Sequence, residues 1–138
     1  MKTLQFLGIC ILLLCFGCNK NSDDDAQTQQ QTNLELLTSG KWYFQSKTPG
    51  SYTACEKKGY IQFMNNGMFT INVFDESSGT CASLGAVSAN YTLTDGVTLT
   101  LTLGSETQSA VINDISENQL NITNTTQDET IVFDKTEG

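Results

Sequence analysis

The sequence predicts an all-β domain: a small eight-stranded antiparallel up-and-down barrel preceded by a short N-terminal helix. Three observations carry this. Beyond residue 33, short runs rich in Thr, Val, Ile and aromatics alternate apolar with polar residues at a period of two, interrupted by a single proline. Two glycine turns, Asn65-Asn66-Gly67 and Thr94-Asp95-Gly96, join consecutive runs. Most of the other connections are short, which favours a meander over a Greek key. A β-sandwich is the alternative, and strand order decides between the two.

The one domain spans residues 33–138. Asn33 to Ser39 reads as helical, with Asn33 as cap and Leu34, Leu36 and Leu37 packing one face. Strands follow near 41–47, 58–64, 68–74, 86–93, 97–103, 107–113, 118–124 and 129–135. A three-residue loop at Asn65-Asn66-Gly67 sets Phe63 opposite Phe69 and Ile61 opposite Ile71, with Gly67 in the left-handed position. A two-residue loop would pair Phe63 with Thr70 and mix the faces. Thr94-Asp95-Gly96 repeats the arrangement, aligning Val87, Ala89, Tyr91 and Leu93 with Val97, Leu99, Leu101 and Leu103. The inward set then includes Trp42, Phe44, Ile61, Phe63, Phe69, Ile71, Tyr91, Leu93, Leu99 and Leu101, and Val73 shares the face of Ile71. Tyr60, Met64, Met68 and Phe74 fall outside.

Two connections are long, 48–57 and 75–85. They are the first and third, and in a meander both lie at one end. Cys55 sits in the first and Cys81 in the third. An even pair in an exported domain is most simply a disulfide, here a clip between the two long loops; two free thiols are the other reading. The domain therefore has one closed end, with tight glycine turns, and one loop-rich mouth.

The chain begins with Lys2 and an apolar run from Leu4 to Leu14, too short to span a bilayer of about 30 Å. It reads as a secretory signal over residues 1–17. The run Leu14-Cys15-Phe16-Gly17-Cys18 resembles the lipobox of bacterial lipoproteins, with Gly17 as the small residue before the cut and Cys15 where Leu is usual. The resemblance implies lipid attachment at Cys18; an ordinary signal peptide with an incidental Cys is the alternative. Residues 18–32 are acidic, then rich in Gln and Thr, and cannot bury enough apolar surface to order themselves. Beyond Cys18 this tether reaches roughly 46–50 Å when fully extended. Its cluster Asp23-Asp24-Asp25 looks like the export signal that sends Bacteroidota-type lipoproteins to the outer face of the outer membrane, so the expected location is the cell surface rather than the periplasmic leaflet. A solvated acidic linker is the plainer reading.

Cleavage before Cys18 removes Lys2 and no acid, so the mature chain keeps all 15 acids against six of the 7 lysines, a net −9. It has no Arg and no His. Nucleic-acid binding needs clustered cations, and this field has the wrong sign. Without His there is no Ser-His-Asp or Cys-His catalysis and no usual zinc site. Glu56, Asp75, Glu76, Asp95, Glu106, Asp114 and Glu117 fall in or beside loops. No spacing among them selects a glycosidase pair or a dedicated calcium loop. The chain is accordingly expected to be no enzyme and to carry no cofactor or metal.

Gly40-Lys41-Trp42, at the first strand after a short helix, looks like the Gly-x-Trp signature of lipocalins. The span from Leu36 to Lys135 is similar to the lipocalin-like domains of Bacteroidota lipoproteins. Their motifs include a Cys near the second strand, the Phe-x-x-x-Gly-x-Phe turn (Phe63 to Phe69) and the late Asn118-Gln119-Leu120-Asn121-Ile122. The Arg that packs over the lipocalin Trp is absent, and Lys135 is the one substitute. The domain is also short for a lipocalin. The resemblance implies a membrane-tethered binder of a small hydrophobic or amphiphilic ligand, or of a protein, through the loop end. Candidate ligand-binding residues are Trp42, Phe44, Phe63, Phe69, Tyr91 and Leu101. These large residues also serve, on the other reading, simply as core. The chain is then a solid structural or interaction module of an envelope complex, or an inhibitor.

Overall fold

The first and last strands pair with each other, and this closes the sheet. A computed structural model describes residues 31–138; the leader, Cys18 and all of the tether before Gln31 lie outside the described residues. In chain order the elements are α1 (Asn33–Leu37), β1 (Lys41–Thr48), a single 3-10 turn (Glu56–Lys58), β2 (Tyr60–Phe63), β3 (Met68–Asp75), β4 (Ala82–Thr94), β5 (Thr98–Leu103), β6 (Glu106–Ile115), β7 (Gln119–Asn124) and β8 (Glu129–Asp134). Each strand runs antiparallel to the next, and β8 returns to β1 with Phe133 opposite Phe44. Strand order thus decides for the barrel and against the sandwich.

The Gly67 turn has the expected register: Phe63 faces Phe69, Ile61 faces Ile71, and Gly67 takes φ 78°. At the second turn the face is right but the register differs. Asp95 and Gly96 both adopt left-handed φ, 52° and 70°, and the Val97 amide donates to the Thr94 carbonyl at 3.1 Å. The ladder therefore starts at Thr94 opposite Thr98, with Leu93 against Leu99 and Tyr91 against Leu101. Val97 falls in the turn and stays exposed.

Other boundaries shift for local reasons. Thr32, not Asn33, caps α1: its hydroxyl accepts from the Glu35 amide and the Glu35 carboxylate accepts from the Thr32 amide, a capping box. Asn33 instead donates to the Gly96 carbonyl at 2.8 Å. The helix stops at Leu37, and Leu34 faces solvent while Leu36 and Leu37 are buried. β2 begins only at Tyr60, because residues 56–58 are wound into the 3-10 turn. Gly59 then passes so close to β1 that a Cβ there would meet the Phe44 ring at 2.8 Å. β4 starts four residues earlier than its sequence pattern suggests. Gly85, which reads as a loop residue, is absorbed into a bulge in which Leu84 and Gly85 stand opposite Val73.

The core is not spread evenly. The largest fully buried side chains are Trp42, Phe63, Phe133, Leu37, Leu99 and Leu120. Trp42, Leu99 and Leu120 lie at the starts of β1, β5 and β7, and Phe63 and Phe133 at the ends of β2 and β8, so the meander puts all of them at one end. α1 covers that end as a plug, with Leu37 fully buried and the Trp42 indole donating to the Leu37 carbonyl at 2.8 Å. Lys135 occupies the place expected of it: its ammonium lies 3.3 Å from the Trp42 ring centroid and donates to the Ser39 hydroxyl. The indole face attracts this cation, yet loss of water dominates and pulls the Lys135 ammonium from 10.5 down to about 8. The closed sheet, its plug and the described core cluster all lie within residues 31–138, as a span that folds by itself requires.

Truncating Phe63 to Ala is expected to destabilise the barrel by about 3–5 kcal/mol in urea unfolding. Lys135 gives a pH signature. Between its folded value and 10.5 the unfolded chain binds more protons than the folded one, so the contribution of this group to stability rises with pH. The stability of the native chain relative to Lys135→Gln should grow in its favour from pH 8 to pH 10.

Candidate functional site

At the end opposite the plug, the barrel is open and partly hollow. The long β1–β2 and β3–β4 connections meet here through the Cys55–Cys81 disulfide, with an S–S distance of 2.00 Å and Cα atoms 5.5 Å apart. The expected clip is present, and Cys55 is buried within it.

Inside lies an apolar hollow. One part, of about 170 Å³, is lined by Phe69, Leu103, Glu106 and a wall formed by Ile61, Ile71, Leu101 and Gln108. A second part, of about 160 Å³, shares that wall and runs under Phe44, Ile122, Ile131 and Phe133 toward the β7–β8 turn. The shared wall places the two parts side by side. They exist because the largest fully buried side chains sit at the plug end, whereas the shared mid-barrel wall is built of Ile61, Ile71, Leu101 and Gln108. Taken together they are at the low end for small-molecule sites, which run from about 300 to 1,000 Å³.

Bulges set the polar rim. An extra residue in β1, Gln45, shifts the pairing between Phe44 and Ser46, and Lys47 comes opposite the inward Ile131. Lys47 turns its ammonium to Glu129 at 3.7 Å and over the Tyr52 ring at 4.9 Å from the centroid. Tyr52 in turn packs on Phe44 with centroids 5.0 Å apart, so the first long loop folds an aromatic lid onto the hollow. Burial first, then the carboxylates of Glu129 and Glu56, push the Tyr52 hydroxyl well above its ordinary value of 10, and it stays neutral. Across the mouth, the Asn124 amide donates to Gln108 at 3.1 Å and to Gln127 at 3.3 Å. Its carbonyl oxygen accepts from the Thr126 and Gln127 amides, which ties the β7–β8 turn to β6.

The chemistry this offers is burial with hydrogen bonding at the rim. Two carboxylates line the hollow, Glu106 and Glu129, on different turns, and Glu129 is engaged by Lys47. Of the residues singled out from the sequence, Phe44, Phe69 and Leu101 come together around the hollow. Trp42, Phe63 and Tyr91 lie below it in the packed end; the Tyr91 ring meets Phe63 edge-on at 5.0 Å, and its hydroxyl donates to the Met64 carbonyl. Sequence reasoning missed Lys47, Tyr52, Gln108, Asn124 and Glu129. The inward polar position at Gln108 was open to view, two residues before Ala110 and four before Ile112 on one alternating face. Lys47 was not, because its direction depends on the bulge at Gln45.

Closing a loop of this separation is expected to contribute about 3–4 kcal/mol. Since the disulfide joins only mouth elements, its reduction should speed amide exchange in residues 49–59 and 76–81 while β2–β3 and β4–β5 stay protected at the plug end. Hydrogen-exchange mass spectrometry on the oxidised and reduced forms reads this directly, and uniform loss of protection at both ends would contradict it.

Residues 38–135 match the family model described as a lipocalin-like domain. Among solved structures, the siderocalin Ex-FABP, described as functioning through dual ligand specificities, is similar at 12% identity and a TM-score of 0.47, covering 75% of this chain and 76% of its own. A bovine odorant-binding protein, a deswapped triple mutant, is similar at 15% identity and a TM-score of 0.42, covering 75% of this chain and 76% of its own. The bovine lipocalin allergen Bos d 2 is similar at 16% identity and a TM-score of 0.43, with 75% of each chain covered. Likenesses at this level carry no argument about ligands. No curated protein matches the chain. With the family model covering most of the barrel from Thr38 to Lys135, the chain belongs to the lipocalin-like domain family.

Proposed function

We propose that this protein is a non-enzymatic binder that takes a small hydrophobic or amphiphilic ligand into the mouth half of its barrel. The carrying observation is the apolar hollow under a polar rim: Ile61, Ile71 and Leu101 offer burial, while Gln108, Asn124 and Glu129 offer hydrogen bonding where a head group would emerge. Membership of a lipocalin-like family supports the same reading. We further propose that the chain is cleaved before Cys18, lipidated there and displayed on the outer membrane, facing the cell surface, with the barrel on its acidic tether; the lipobox-like run and Asp23-Asp24-Asp25 support this.

Binding is tested by fluorescence titration of residues 31–138 with N-phenylnaphthylamine, an environment-sensitive apolar probe. The expected result is saturable enhancement that Gln108→Trp and Leu101→Trp, which fill the shared wall, each reduce at least tenfold in affinity while thermal unfolding shows both variants folded. Equal binding by folded variants would point to the solid-core alternative, as would native mass spectrometry of host-purified protein showing no small molecule. The anchor has its own test. Cys18→Ala should abolish the lipid mass increment, and whole-cell proteolysis should remove the barrel from intact cells.

A further inference from the structure

We propose that the binding surface does not end at the hollow but continues out of the barrel along the inner face of the β3–β4 ribbon. It forms a trough for one elongated single-chain amphiphile with an uncharged or cationic head. This rests on the reading of the hollow as a ligand site and names the ligand class.

β4 pairs with β3 from Ala82 onward, but with β5 only from Asn90 opposite Thr102. β5 ends at Leu103 and turns at once through Gly104 and Ser105 into β6. On its β4 edge the upper half of the ribbon therefore stands above the β5–β6 turn with no strand paired to it among the described residues, while β2 and the 3-10 turn flank it on the β3 edge. Its two faces differ. Outside, Thr70 bonds Ser88 at 2.9 Å and Asn72 bonds Ser83 at 2.6 Å. Inside, the alternation that buries Phe69 and Ala89 runs upward through Ile71 opposite Val87, then Val73 opposite the Leu84 bulge. Exposure climbs along this line without any change of chemistry: Phe69 is 5% exposed and Ala89 8%, but Val73 is 38%, Val87 45% and Leu84 63%. Leu103, at the neighbouring rim, is 49% exposed.

This apolar wall is uncharged from Met68 to Phe74 and from Ala82 to Thr94. Exposed strands are ordinarily blunted by a lysine or proline, and this one has neither. Continuity selects the occupant. Ile71 and Leu103 line both the hollow and the foot of the trough, so an alkyl chain leaving the hollow meets Leu103 and Val87 next. Charge selects the head. At the mouth end Glu56, Asp75, Glu76, Glu106, Asp128 and Glu129 face three lysines. Lys47 is held by Glu129, Lys57 is turned to Gln45, and Lys58 stands in solvent on the 3-10 turn. Among the described residues the acids at this end outnumber the lysines two to one, so a carboxylate head meets net repulsion.

The test is isothermal titration of residues 31–138, disulfide formed, with hexyl-, octyl-, decyl- and dodecyltrimethylammonium and with dodecanoate. Affinity should rise up to about fourfold per added methylene through to the dodecyl chain, and dodecanoate should bind about two- to fivefold more weakly than its cationic counterpart. The double variant Leu84→Asp, Val87→Asp should keep hexyl affinity and lose the gain from the longer chains. The milder pair Leu84→Ser, Val87→Thr, which suits a strand, should lose part of it. If affinity levels off at short chains, or both ribbon variants bind dodecyltrimethylammonium as the native chain does, the trough is overturned and the hollow stands alone. Absence of binding by every chain, hexyl included, sinks the hollow as well. A ligand-free dimer in sedimentation that the ribbon variants dissolve would assign the face to a second copy and overturn the proposal.

Discussion

Everything in this molecule depends on β1 pairing with β8. Two-fold alternation only sorts residues onto two faces; it takes closure to make one of them an inside. With Phe133 set against Phe44, the inward residues of all eight strands converge on one axis. Trp42, Phe63, Leu99 and Leu120 then meet under the α1 plug, where Lys135 lies over the tryptophan ring and the Leu37 carbonyl accepts from its indole N–H. An eight-stranded barrel is just wide enough to be filled by side chains or to leave room for one small ligand. Here it does both, at opposite ends. The largest fully buried side chains gather at the plug end, and the mid-barrel wall of Ile61, Ile71, Leu101 and Gln108 leaves space below the mouth.

The character of the mouth comes from irregularity. Each of β1, β4 and β6 carries one residue more than its partner, at Gln45, at Leu84-Gly85 and at Asn113 respectively. An inserted residue reverses which side chains face inward beyond it, so an alternating strand can be apolar inside at one end and polar inside at the other. That is how Lys47 comes to lie against Glu129 at the rim although Trp42 and Phe44 on the same strand are core. In β4 the same device lets a glycine remain within a long strand and carries the ribbon past its neighbour.

Charge and covalent geometry then act on the same end. The disulfide holds the two long loops to each other, and Tyr52, kept neutral by burial and by nearby carboxylates, lies on Phe44 as a lid. The acids that give the chain its low isoelectric point gather partly around this opening, which biases it against anions. Membership of the lipocalin-like family and the hollow both support the proposed binding role. The proposed ligand class rests on the rim and ribbon of this chain, since its likenesses to solved lipocalin structures are too low to lend it theirs.

Much of this was legible in the sequence. Alternation is a local pattern, and at the Gly67 turn it agrees with the three-residue loop that sets Phe63 against Phe69, so the β2–β3 hairpin, its inward face and the meander could be read directly. The even cysteine pair and the parity of the long loops gave the disulfide and the end it clips. Even Lys135 over Trp42 followed from a family motif and the lack of any arginine. The sequence by itself determined these because each depends on near neighbours or on counting. Only the tertiary structure decided the register at Asp95-Gly96, the lengthened β4, the inward turn of Lys47 and the division of the candidate residues into core and cavity wall. Bulges and closure fix those, and both are settled by pairing between strands far apart in the chain, where no local pattern can record them.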